Sequence, residues 1–96
     1  MDILLVLNIN PQLEEDLVDY LLGFEGVQGF TSMPVRGHGG GDGLSLAAQV
    51  SGRRKRIRIE LLLNPAVSEQ LIQGLEAAVG GDIVWWELPM IRCGRV

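Results

Sequence analysis

Few residues in this sequence have the chemistry to hold a ligand. His38 stands inside Gly37-His38-Gly39-Gly40-Gly41-Asp42-Gly43, with glycine on either side. An imidazole in such a setting is a metal ligand near neutral pH. The competing reading is a solvated loop histidine. Cys93, the single cysteine, follows Arg92. A neighbouring cation favours the thiolate, and thiolates bind soft metals. The competing reading is a small buried hydrophobe. Met33 and Met90 fit a core better than a metal. A divalent metal or copper(I) is the ion class that His38 and Cys93 suit. No two ligands share a fixed helical spacing, so one chain is not expected to close a metal site by itself.

A second cluster is basic. Arg53, Arg54, Lys55, Arg56 and Arg58 are five of the eight basic residues, within six positions. Guanidinium groups grip phosphate or carboxylate bidentately. Arg36, Arg54 and Arg92 are the candidates for an anionic effector. On an extended strand Arg56, Arg58 and Glu60 share one face, so an exposed charge ladder is the competing reading. Nucleic acid fits poorly. The net charge is −4 and no aromatic residue interleaves the cluster. Catalysis has no support either, since there is no nucleophile elbow and no oriented His-Cys or Ser-His-Asp set. The chain reads as a non-enzyme.

The elements that must position these residues repeat. Ile3 to Leu7 is an apolar run, read as a strand. Asn10-Pro11 opens a helix carrying Leu13, Leu17 and Leu21 at spacing four, which ends at Gly23 or Gly26. Val27 to Val35 reads as a strand. Arg56 to Leu61 alternates as a strand, Asn64-Pro65 opens a second helix with Leu71 and Leu75, and Gly80-Gly81 ends it. Ile83 to Leu88 is the last strand. Laying Asn10-Pro11 on Asn64-Pro65 puts Leu17 on Leu71, Leu21 on Leu75 and Gly26 on Gly80. A β-α-β unit repeated twice predicts an α+β, ferredoxin-like fold: a four-stranded antiparallel sheet with two helices on one face. Residues 1–96 form a single domain on this reading.

The two halves are joined by a glycine-rich stretch, expected to be a mobile loop over about 36–44. Leu44 to Ser51 fits either a strand or, with slightly better capping, a short helix. Trp85 and Trp86 point to opposite faces of their strand. One is expected to enter the core. The other needs cover on the back of the sheet, which predicts an oligomer interface.

Length and composition bound the rest. Ninety-six residues with 47% hydrophobic and 21% charged residues make one globular core. There is no apolar run of about 20 residues, so no membrane span is expected. The N-terminal residues lack the pattern of a signal peptide, and one cysteine excludes an internal disulfide. A cytoplasmic setting is the default expectation.

Several stretches together carry a family resemblance. Gly37-His38 lies between the second and third strands, and Ile91-Arg92-Cys93-Gly94 lies after the last. With the repeated half, these resemble the PII superfamily of trimeric signalling proteins. Leu44-Ser45-Leu46-Ala47-Ala48-Gln49-Val50-Ser51-Gly52-Arg53-Arg54 and Trp86-Glu87-Leu88-Pro89 sharpen it. They are similar to a PII-like family encoded beside heavy-metal efflux pumps of the resistance-nodulation-division type. The resemblance implies a homotrimer that binds a small effector and modulates a membrane transporter. Gly37, His38, Gly39, Arg53 and Arg54 are then the loop residues that would meet the partner. It also implies departures. The turn Gly80-Gly81-Asp82 is short and carries an acid in place of the lysine that contacts ATP phosphates in PII. The only tyrosine, Tyr20, lies outside the loop. Standard ATP binding and uridylylation are not expected.

Overall fold

The computed structural model describes residues 2–38 and 54–96. Its elements follow the order β1 (Ile3–Ile9), a 3-10 turn (Pro11–Leu13), α1 (Glu14–Leu22), β2 (Thr31–Gly37), β3 (Arg54–Leu63), α2 (Pro65–Ala78) and β4 (Val84–Pro89). The strands form one sheet in the order β2-β3-β1-β4, and every neighbouring pair is antiparallel. This is the ferredoxin-like arrangement that the doubled β-α-β pattern predicts.

The internal repeat is visible atom by atom. Asn10 and Asn64 adopt nearly the same backbone angles, φ −63° with ψ 134° and 139°. Each side-chain oxygen accepts the amide two residues on, from Gln12 at 2.9 Å and from Ala66 at 2.8 Å. Each is followed by proline, whose missing N–H costs a helix start nothing. The equated glycines also agree: Gly26 and Gly80 both have positive φ, +99° and +147°. At Gly26 a Cβ would lie 2.9 Å from a Val67 methyl, so that turn needs glycine twice over.

The core lies between the helices and one sheet face. Leu5, Leu7 and Ile9 of β1, Ile59, Leu61 and Leu63 of β3, Leu17 and Leu21 of α1, and Leu71 and Leu75 of α2 are all buried. Each such leucine contributes roughly 1.5–3 kcal/mol by leaving water. Both boundaries of β2, β3 and β4 differ from the sequence expectation. β2 begins at Thr31, because Val27 closes a turn onto the Phe24 carbonyl at 3.2 Å before the strand can start. β3 runs further in both directions, from Arg54 to Leu63, since both neighbours offer it partners over that length. β4 starts at Val84, one residue after the expected Ile83, and runs on to Pro89. Arg36 and Gly37 belong to β2, paired with Lys55 and Arg54, so the expected loop starts after them. Residues 39–44 of that loop, Gly39 and Arg53 among the partner-contact candidates, and the 44–51 stretch lie outside the described residues.

The two helices pack closely at Gly74. The Tyr20 hydroxyl donates to the Leu71 carbonyl at 2.9 Å, and a Cβ on Gly74 would sit 2.5 Å from that oxygen. Burial pushes the phenol pKa up from its ordinary value. Gly74→Ala should therefore destabilise the fold by about 1–3 kcal/mol, although alanine is the better helix former. The Tyr20→Phe background should recover much of that loss. Urea unfolding of the two single variants and the double reads both effects.

Candidate functional site

The site of interest is the sheet end where β2 finishes and β3 begins. Gly37 pairs with Arg54, so the residues between them leave and rejoin the sheet at one place. On the helix side, Arg36 and Lys55 stand directly opposite each other on adjacent strands. Like charges so placed repel, and no partner is seen for either among the described residues. With Pro11, Pro34 and Ile57 they line an open cleft of about 420 Å3. His38 follows Gly37 and is exposed. Arg54 is half-buried at the last rung.

Arg56 overturns the exposed ladder. It is only 3% exposed. Its Nε donates to Asn8 Oδ1 at 2.6 Å, and one terminal nitrogen donates to the Asn8 and Asp82 carbonyls at 2.9 and 3.0 Å. The other donates to the Asp82 carboxylate at 3.3 Å. A guanidinium loses its water only when several acceptors replace it. Here they come from the end of β1 and from the turn between α2 and β4. Asp82 has a left-handed backbone, φ +58°, which asparagine and aspartate tolerate better than most residues. The Asp82 carboxylate is thus engaged by a resident cation. Strand alternation shows that Arg56 shares a face with Arg58; only the neighbouring strand and turn make that position buried.

Arg58 behaves differently. It pairs with Glu60 at 2.9 Å and lies over the Trp86 ring, 5.6 Å from its centroid. These side chains share the sheet face away from the helices, where the register sets Glu60, Val6 and Trp86 in one row and Leu62, Leu4 and Leu88 in the next. Trp86 is half-buried there. Trp85 is on the helix side, as alternation requires, but it is 46% exposed and does not enter the core. β4 is an edge strand, so the helices cover it poorly. Trp85 instead lines a groove with Ile72, Leu75, Gly80, Asp82 and Ile83.

Cys93 and Arg92 are both exposed. They follow β4, which ends at Pro89 opposite Ile3. Ile3 pairs with Leu63, at the far end of β3 from Arg54. A ten-residue strand spans roughly 30 Å, whereas four residues after Pro89 reach at most about 14 Å. One chain therefore does not bring Cys93 to His38, nor Arg92 to Arg36 and Arg54. Among the described residues no three of His, Cys, Asp and Glu cluster as a metal site.

The comparisons with known proteins agree with this architecture. The family profile described as "Protein of unknown function (DUF3240)" matches residues 1–96. The chain belongs to the DUF3240 family. None of the curated proteins matches it by sequence. Among solved structures, a DUF3240 family protein from Shewanella baltica OS155 superposes with a TM-score of 0.81 at 22% identity, covering 99% of this chain and 96% of that one. The periplasmic divalent cation tolerance protein CutA from Archaeoglobus fulgidus gives 0.76 at 9% identity, covering 99% and 89%. A PII-like signalling protein from Thermus thermophilus gives 0.63 at 22% identity, covering 90% and 83%. At these identities the likeness establishes the fold. This DUF3240 chain shares the ferredoxin-like architecture of the CutA and PII-like structures. No helix among its described residues is long and apolar enough to cross a membrane.

Proposed function

We propose that this DUF3240 chain is a small cytoplasmic regulatory protein that works as a homotrimer. It binds a small effector, with a metal ion favoured, and modulates a membrane transporter of the heavy-metal efflux class. The observation that carries the reading is the sheet end. Both ends of the 38–53 segment meet there, His38 is exposed at its start, and the basic residues Arg36 and Lys55 flank it. Likeness to a divalent cation tolerance protein and to a PII-like signalling protein supports a regulator or a metal-tolerance protein.

In the proposed trimer three copies supply three His38 imidazoles and three Cys93 thiols. The apolar back face, with Leu62 and Leu88 each 45% exposed, is the surface the trimer would cover. A protein of the same chemistry without a signalling partner would act as a metal buffer. The cleft of Arg36 and Lys55 favours a second reading, an anionic effector such as a nucleotide.

Calorimetric titration with zinc, copper(I), ATP, ADP and AMP separates these. Metal binding should release protons, because imidazole must be neutral and thiol deprotonated to ligate. His38→Ala should then cut metal affinity strongly, and Arg54→Ala hardly at all. Tight ATP binding that survives His38→Ala but is lost in Arg36→Ala would reject the metal reading in favour of the nucleotide. A buffer would bind metal without any change in capture of the transporter's cytoplasmic segments.

A further inference from the structure

We infer that Arg56 is a mechanical link, joining the point where the chain leaves β2 to the turn that shapes the Trp85 groove. The inference goes beyond the proposed function and needs no effector.

Three places define the link. The first is at Gly37, where the chain leaves the sheet. A Cβ built there lies 3.5 Å from Arg56 Cγ and 3.6 Å from Arg54 Cγ, so any side chain placed at Gly37 would bear on both stems. The second is the head of Arg56, whose four hydrogen bonds divide equally between Asn8 and Asp82. The Asn8 half is anchored in β1, the strand paired on both sides. The Asp82 half holds a turn that has no strand partner. The third is that turn itself, where Gly80, Gly81, Asp82 and Ile83 wall the groove that contains Trp85.

The turn depends on this grip. Asp82 has φ +58° and Gly80 φ +147°, and Gly80 donates its amide to the Leu75 carbonyl at a long 3.2 Å. The Asp82 carboxylate is 64% exposed and its bond to Arg56 is the longest of the four. It is therefore the contact that releases first when the guanidinium moves. Displacing the stem at Gly37 rotates a head pinned on Asn8, and the turn, then held by Arg56 only through the Asp82 carbonyl, changes the packing around Trp85. Such coupling is demonstrated only by perturbing one end and reading the other.

The test uses the full chain with Trp86→Phe, which leaves Trp85 as the only tryptophan. Asp82→Asn keeps the shape and the tolerance of left-handed backbone but removes the charge. It should shift Trp85 emission and speed exchange of the Gly80 amide by roughly tenfold, with amides of β1 unchanged. Gly37→Leu, which pushes on the Arg56 stem, should move both signals in the same direction. Gly37→Ala, whose methyl fits at van der Waals distance, repeats this at smaller amplitude should the leucine variant fold poorly. The decisive arm is the double variant. With Asp82→Asn already present, the Gly37 substitution should alter Trp85 clearly less, because the bond to the Asp82 carbonyl is then the main tie between Arg56 and the turn. Undiminished Gly37 effects in that background would overturn the inference. So would silence of Trp85 and Gly80 in all the Gly37 variants.

Discussion

Arg56→Met is expected to lower the unfolding free energy by about 3 kcal/mol, the largest loss from any single polar side chain among the described residues. Methionine keeps much of the stem but leaves Asn8 Oδ1 and the Asn8 and Asp82 carbonyls without their donor. Each acceptor orphaned away from water costs about 1 kcal/mol or more. The ion pair itself adds little, because the Asp82 side chain is 64% exposed and can return to water. Asp82→Asn, which keeps the tolerance of left-handed backbone, should for that reason cost well under half as much. Arg56→Lys should recover only part of the loss, since one ammonium cannot fork to both residues. Urea denaturation followed by circular dichroism measures all three. A midpoint for Arg56→Met within error of the parent would mean that desolvating the guanidinium cancels its four bonds.

Leu88→Asp is expected to convert the proposed trimer to a folded monomer. In one chain Leu88 is 45% exposed, in a row with Leu4 and Leu62 across the sheet. A carboxylate there stays hydrated, so the protomer should lose no more than about 0.5–1 kcal/mol. Covered by neighbours, the same carboxylate would be stripped of water with no cation to receive it, a penalty of several kcal/mol. Arg58, on the same sheet face, is already committed to Glu60 and to the Trp86 ring. Light scattering at micromolar concentration should fall from about three chain masses to one, with the far-ultraviolet spectrum unchanged. An intact assembly in Leu88→Asp would place the oligomer contact elsewhere and would detach Trp86 from it.

Much of this fold is legible in the sequence because its signals are local. Asn10-Pro11 and Asn64-Pro65 announce two helix starts, and the leucines at spacing four announce which helix face is buried. Alternation in Arg56-Ile57-Arg58-Ile59 assigns each residue to a face. The repeat then fixes the order of the elements, and few topologies accommodate it. Gly26 and Gly80 align in the repeat for the same reason that both have positive φ, a turn that a side chain would strain.

The functional end of the molecule depends on what local pattern cannot carry. Face assignment says nothing about which strand or turn lies beside a residue. Arg56 and Arg58 are identical by alternation, yet one is buried against Asn8 and Asp82 and the other is half-exposed over Trp86. Alternation also separates Trp85 from Trp86, but the place of Trp85 on an edge strand keeps it out of the core. Period-two and period-3.6 patterns determined the elements, their faces and the core, because burial of a side chain repeats along the chain. The antiparallel crossing of the strands decided the rest: it gathered Arg36, Lys55, Arg56 and Asp82 at one sheet end and sent His38 and Cys93 to opposite ends, since register and strand order are set by contacts between residues far apart in sequence.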